Sequence, residues 1–236
     1  MDDAKKLWYF NEFNILDSLS MEEKMQISKM VSDKEVIKKD VLYFSDDSAD
    51  KVFFLKKGKV KISKYSSDGK EMIISILGPG EVFGETGVIG APNHDEVAEV
   101  LEDAIVCSLS VNQFKSMLAD NPQFNLSVTK FIGLKYRKVQ TRLESLVFKT
   151  APERIRGFIK EMADEHGNKL INGEIVVKLK LKHEDIAKLT ATTRQSVTSE
   201  LKKLEKNNII TYDRKRILVR EYSMLSNWEF FKRKRK

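Results

Sequence analysis

The sequence predicts an α+β chain: an antiparallel barrel or roll in front, one long helix, and a mostly helical back part closed by a hairpin. Three observations carry this. From Val36 to Ser110, short runs rich in Val, Ile, Phe and Tyr alternate with turn residues, and seven of the eleven glycines lie between Gly58 and Gly90. After Ser110 the apolar spacing lengthens to three and four residues, the helical period. The charge also divides: residues 1–147 carry 20 Lys+Arg against 23 Asp+Glu, a net of −3, and residues 148–236 carry 22 against 12, a net of +10. A chain of 236 residues, 41% hydrophobic, is large enough for a real core, in one large domain or two ordinary ones.

Composition narrows the chemistry. Cys107 is the single cysteine, so no intrachain disulfide, iron–sulfur cluster or Cys-rich zinc site is expected, and the reading requires no metal or cofactor. The start, Met1-Asp2-Asp3-Ala4-Lys5-Lys6, lacks the apolar stretch of a signal peptide, and no apolar run approaches the ~18 residues of a membrane span. A cytoplasmic protein with no membrane partner is expected. The basic back part suits a polyanion, although a solvated lysine surface has the same composition.

The elements follow in order. Ser20 and Glu23 have capping-box spacing before a short helix over 20–31 with apolar Met25, Ile27 and Met30. Val60 and Ile62 alternate with Lys59, Lys61 and Ser63, and Met72, Ile74 and Ile76 alternate on a return strand. Between them Ser66-Ser67-Asp68-Gly69 predicts a hairpin turn. Ser110 and Gln113 cap a short helix holding Phe114 and Leu118. Pro122 opens a long helix to Val147 or Phe148. On it Val128, Ile132, Val139, Leu143 and Leu146 form a stripe, interrupted by Lys135, with Phe131 and Leu134 on other faces. Apolar positions on more than one side predict packing against a second copy; a helix covering only its own sheet is the alternative.

Thr150-Ala151-Pro152-Glu153 combines an N-cap, a proline in the first turn and Glu153 three residues on, so it starts a new helix and breaks the last one. The boundaries expected are 1–120 for the sheet domain, 121–149 for the long helix and hinge, and 150–236 for the basic domain. The next helix carries Ile155, Phe158, Ile159 and Met162 and ends near His166-Gly167-Asn168. A strand from Ile175 to Leu181 puts Val177, Leu179 and Leu181 opposite Lys178, Lys180 and Lys182.

His183–Leu189 then reads as one short helix, Thr190-Ala191-Thr192-Thr193 as a break, and Arg194–Leu204 as a second helix with Val197, Leu201 and Leu204 inward. That is a helix-turn-helix. Arg194 and Gln195 at the start of the second helix are the residue types that read guanine and adenine edges. Thr198, Ser199 and Lys202 share the outer face, and Thr192 or Thr193 can bond a phosphate. Lys182, Lys202 and Arg214 are expected on phosphates. Ile209–Tyr212, a basic turn and Ile217–Val219 make a hairpin, the wing of a winged helix. The tail Phe230-Phe231-Lys232-Arg233-Lys234-Arg235-Lys236 is expected to add only non-specific DNA affinity.

With these residues in place the chain resembles the CRP/FNR superfamily of bacterial transcription regulators, the cyclic AMP receptor protein-like family. In front the likeness rests on Asp50–Gly58, on Asp68-Gly69-Lys70-Glu71 and on Leu77-Gly78-Pro79-Gly80-Glu81-Val82-Phe83-Gly84-Glu85. Behind, it rests on Thr193–Thr198 and Leu201-Lys202-Lys203-Leu204. The resemblance implies a cyclic-nucleotide-binding-like jelly roll that senses an effector, a dimerisation helix, a C-terminal winged helix and RNA polymerase as a partner.

It also locates departures. In cyclic-nucleotide-binding members a Gly-Glu pair is followed by Arg-Ser, the glutamate taking the ribose hydroxyl and the arginine the cyclic phosphate. Gly84 and Glu85 are kept here, but Glu96 and Val97 stand where Arg-Ser belongs, so a phosphate meets like charge. The purine-contacting helix pair falls at Val139 and Gln140. Cyclic AMP in the usual mode is therefore not the expected effector, whose identity stays open; Gly84 and Glu85 read as a turn glycine and a glutamate bonded to backbone N–H. Cys107 reads as a buried strand residue. His94 reads as solvated in a loop, and His166 and His183 lie in the DNA domain, so no haem ligand is evident. At the helix-turn-helix turn, where glycine is usual, stands Ala191, and Ser199 stands where the family often has arginine.

Enzyme motifs are missing: Gly78-Pro79-Gly80 with Gly84 is one residue off the dinucleotide fingerprint, and no P-loop, H-E-x-x-H or G-x-S-x-G occurs. The expected function is a homodimeric, sequence-specific, effector-controlled transcription regulator and not an enzyme. The alternative is a cyclic-nucleotide-binding-like module acting on a protein partner.

Overall fold

A computed structural model describes residues 13–178, 181–213 and 215–226. Arg214 and the basic tail from Phe230 lie outside the described residues, as do Leu179 and Lys180. Contacts divide the chain into two compact units, Met1–Lys138 and Val139–Lys236.

In the front unit, helix α1 (Met21–Met30) starts at the expected Ser20/Glu23 capping box. Its burial differs from expectation: Ile27 and Ser28 are buried, while Met25 and Met30 are exposed. The sheet is antiparallel and six-stranded, built from β1 (Ser32–Val36), β2 (Val41–Tyr43), β3 (Lys51–Tyr65), β4 (Glu71–Leu77), β5 (Val82–Phe83) and β6 (Val97–Ser110). The two long strands, β3 and β6, pair with each other; β1 and β2 pair with β6, and β4 and β5 with β3. Their mutual register shifts between Leu55 and Val60, which bends the ladder. Gly58 sits at that bend with φ 89, and a Cβ there would lie 2.5 Å from the Asp103 carbonyl oxygen, so only glycine fits.

The β3–β4 hairpin turns at Gly69, as its Asp-Gly pair predicts. The return strand corrects the simple alternation. A register shift beside Ile62 slips the strand at Ile74, so Ile73 and Leu77 are buried and Met72 is exposed. The lysine face of β3 is also not solvated. Lys61 is buried between Glu71 and Glu99, each 2.7 Å away, and Ser63 Oγ donates to Glu71 Oε1 at 2.8 Å. Cys107 is fully buried. Helix α2 (Val111–Asp120) starts at the Ser110/Gln113 box, and α3 (Pro122–Phe148) follows. Phe124 and Val128 of α3 join Phe13, Phe54 and Phe114 in the core.

The back unit contains the end of α3, then α4 (Ala151–His166), started by the Thr150/Glu153 box with its proline in the first turn. A four-stranded antiparallel sheet runs β7 (Gly167–Lys169), β8 (Ile175–Val177), β10 (Ile217–Val219), β9 (Ile210–Tyr212). The expected strand from Ile175 to Leu181 is thus shorter, and β7 pairs with it where the sequence showed only a helix end. Three helices complete the unit: α5 (His183–Leu189), α6 (Arg194–Lys206) and α7 (Tyr222–Ser226). Ile155, Ile159, Val177, Val197, Leu204 and Ile210 form the centre of one apolar core, which fixes the orientation of α6.

Candidate nucleic-acid interface and effector site

The pair α5 and α6 forms the expected helix-turn-helix. The Thr193 hydroxyl caps α6 by accepting from Ser196 N at 3.1 Å. Val197, Leu201 and Leu204 are at most 1% exposed, which turns the opposite face outward. Thr193, Arg194, Gln195, Thr198, Ser199 and Lys202 line one concave surface there. Lys182, just before α5, is exposed but not part of that lining. Thr192 is not brought to it either; its hydroxyl lies 3.0 Å from that of Thr190, inside the turn. The Thr198 hydroxyl donates to the Arg194 carbonyl at 2.9 Å. At the wing, the Asp213 carboxylate accepts from Lys215 N, Arg216 N and Arg216 Nε, which tightens the tip.

Apart from the turn at Ala191, which the sequence already marks, the supports of this surface escaped the sequence reading. Ala191 has φ 48 in the turn, the left-handed region expected of glycine. Arg154 of α4 holds that turn, donating to the Thr190 carbonyl at 2.8 Å and the Ala191 carbonyl at 2.9 Å. Arg142 of α3 donates to the Leu189 carbonyl at 2.8 Å. Arg156 of α4 makes a buried ion pair with Glu200 of α6. A charged residue three after Val197 and one before Leu201, on the inward stripe, was the available signal for Glu200. His183 Nδ1 lies 2.9 Å from Thr198 Oγ1, bracing α5 against α6.

In the front unit, Gly84 has φ 75, and a Cβ there would lie 2.8 Å from the Phe53 ring, so its turn role stands. Glu85 begins a short 3-10 turn, Glu85–Ile89. The sequence leads us to expect this carboxylate on backbone N–H groups; instead it accepts from Lys135 Nζ of α3 at 2.5 Å. Lys135 Nζ also donates to the Val82 carbonyl at 3.1 Å and lies 4.7 Å from the Phe131 ring centre. The lysine that interrupts the apolar stripe therefore has a polar site to fill.

Glu96 accepts from the Tyr43 hydroxyl at 2.9 Å. Burial raises the Glu96 carboxyl above its usual range, with Glu85 and Asp95 adding to the effect. Burial likewise pushes up the Tyr43 phenol, and the Glu96 charge adds to it. Val97 is half-buried at the start of β6. His94 is a correction: it is 2% exposed and stacks on Tyr43 with ring centres 3.7 Å apart. Its loop folds inward because Asp46 N bonds the His94 carbonyl and His94 N the Asp47 carbonyl, both at 2.8 Å. Among the described residues no cluster of three or more His, Cys, Asp or Glu could hold a metal.

Residues 33–121 match the cyclic nucleotide-binding domain family, and residues 153–228 match the Crp-like helix-turn-helix domain. The chain belongs to the CRP/FNR family of transcription regulators. Among relatives, it is 23% identical over 185 residues to a CRP-like cAMP-activated global transcriptional regulator of Mycobacterium tuberculosis, covering 78% of this chain and 82% of that one. It is 28% identical over 182 residues to the global nitrogen regulator of Synechococcus elongatus, covering 75% and 81%. The fold is shared with FixK2 from Bradyrhizobium japonicum, at a TM-score of 0.74 and 24% identity, covering 84% of this chain and 96% of that one.

CRP/FNR regulators bind DNA and dimerise. In this member the stripe of α3 separates into two parts. Val128 is 6% exposed and packs into the core of its own unit, so it differs from the interface position expected. Ile132, Val139, Leu143 and Leu146 are 41 to 60% exposed on the single chain, and Gln140 is exposed beside Val139. No described helix is long and apolar enough to cross a membrane.

Proposed function

We propose that this regulator is a homodimer that reads two inverted DNA half-sites with Arg194 and Gln195. The observation that carries the reading is the surface lined by Thr193, Arg194, Gln195, Thr198, Ser199 and Lys202, on a helix whose other face is locked into the core. An arginine there can bond guanine O6 and N7 together, a discrimination of roughly 1–3 kcal/mol, and Gln195 has adenine as its natural partner. Lys182, Lys202 and Arg214 serve phosphates. Residues 1–120 sense, 121–149 dimerise and couple, and 150–236 bind DNA. The exposed apolar residues of α3 support the dimer, with Ile132, Val139, Leu143 and Leu146 at its interface.

The effector is a small molecule other than cyclic AMP bound in the usual mode. Glu85 already holds Lys135, and Glu96 faces the place where a phosphate would need a cation. The protein acts in the cytoplasm with RNA polymerase as a partner, and it is not an enzyme. The match to a Crp-like helix-turn-helix domain weighs against a module that acts on a protein partner alone.

Selection from a random DNA pool tests the reading. The intact chain should select an inverted repeat with half-sites about one helical turn apart. Arg194→Ala should relax the preference at one guanine in each half-site. An unchanged motif with evenly lowered affinity would make Arg194 a phosphate anchor.

A further inference from the structure

His183 opens α5 and touches the reading surface through Thr198. Proton counting fixes the direction of that contact. A hydroxyl has one proton, and that of Thr198 goes to the Arg194 carbonyl at 2.9 Å. The 2.9 Å contact between His183 Nδ1 and Thr198 Oγ1 therefore has Nδ1–H donating. In neutral His183, Nε2 then carries the lone pair, and among the described residues it has no hydrogen-bond partner.

The surroundings keep that ring neutral. Burial lowers its pKa from the ordinary 6.5, and the Arg194 guanidinium adds to the effect. From β9 the facing group is the neutral Tyr212 ring, 5.8 Å away. On its own helix, Glu184 is engaged by Lys188 and Asp185 accepts from Lys182 N. So a proton acceptor stands, unfilled, under the positive charge of Arg194 and next to the surface that Arg194, Thr198 and Lys202 line.

We infer that His183 is a further DNA-contacting residue, which takes a proton from solvent onto Nε2 when the complex forms and donates it to a backbone phosphate oxygen. The phosphate reverses the local balance of charge. The repulsion from Arg194 is offset, and the imidazolium gains a charge-assisted hydrogen bond. Nδ1–H keeps its bond to Thr198, so the brace between α5 and α6 survives protonation. Binding then consumes up to one proton per protomer. This inference rests on the DNA-binding reading above.

The sign follows from linkage. The complex holds the proton more tightly than the free protein, so affinity falls as pH rises between the free and the bound pKa. The limiting slope is about tenfold per pH unit per protomer. The test is fluorescence anisotropy of the intact chain on the best duplex from the random pool, across about pH 5 to 8 at constant ionic strength. Wild type should show the slope. His183→Asn, whose amide can replace the Nδ1–H donor but cannot titrate, should abolish it. NMR of the wild-type His183 ring should show its pKa rising when duplex is added, independently of any variant. Tight binding that is flat with pH, a slope that persists in His183→Asn, or a ring pKa unmoved by duplex would each overturn the assignment while leaving the regulator intact. No binding to any duplex at any pH would overturn the DNA-reading proposal itself, and this inference with it.

Discussion

Lys135 and Glu85 close on each other at 2.5 Å, between the long helix and the 3-10 turn after β5. The glutamate that the family resemblance assigns to a ribose hydroxyl already holds an ammonium group from its own chain. A cyclic nucleotide would have to displace or share that contact and would still find a carboxylate, Glu96, in place of a phosphate partner.

Calorimetry with cyclic AMP at physiological salt should accordingly show no binding at micromolar concentration or tighter. Heat that saturates in that range would mean that the phosphate has another cation, and that the pocket opens differently from the arrangement around Tyr43 and Glu96.

For the dimer, Ile132→Glu combined with Leu143→Glu should give monomers in sedimentation. Both residues are at least 41% exposed on the single chain, so the change acts on the interface and leaves each core alone. Variants that remain dimeric would place the interface elsewhere.

Arg156→Met should destabilise the back unit by up to roughly 3–5 kcal/mol, because it leaves the buried Glu200 carboxylate with only the looser Lys203 contact at 3.9 Å. Adding Glu200→Met should recover much of the loss, since two apolar side chains leave no uncompensated charge. Chemical denaturation combined with hydrogen exchange on the α4 and α6 amides reads both effects. A single variant as stable as wild type would contradict the burial of the pair.

His94 should make the front unit acid-sensitive. Burial lowers its pKa from 6.5, outweighing the nearby carboxylates Asp47, Asp50, Asp95 and Glu85, which act to raise it. A base whose folded pKa is depressed contributes stability that is complete above its unfolded value. That stability is lost as pH falls from about 6.5 toward the folded pKa, because the unfolded chain takes the proton first. Stability against pH should show this loss, and His94→Phe, which keeps a ring against Tyr43, should flatten it. An unchanged profile in that variant would assign the acid sensitivity to other groups.

Local patterns made much of the architecture legible. Ser20/Glu23, Ser110/Gln113 and Thr150/Glu153 mark helix starts because each needs only residues three apart. Asp68-Gly69 marks its hairpin for the same reason, and Val197, Leu201 and Leu204 identify the buried face of α6 by helical spacing alone. What escaped was what depends on partners distant in sequence. Lys61 falls on the polar side of an alternating strand, but Glu71 and Glu99 close over it from two neighbouring strands. His94 was placed in solvent because a loop was expected there, whereas the loop turns inward and lays the ring on Tyr43, 51 residues earlier.

The sequence by itself determined the two-part α+β architecture, the helix-turn-helix and its outward residues. These follow from periodicity, caps and turn chemistry over short spans. Only the tertiary structure decided which charges are spent within the chain: Lys135 on Glu85 and Arg154 on the turn at Ala191 where they are partly exposed, and Arg156 on Glu200 in the core. A long side chain has the same local preference whether it is solvated or buried. Its fate is set by which carboxylate or carbonyl the fold carries to it, because a buried charge is tolerated only where such a partner arrives.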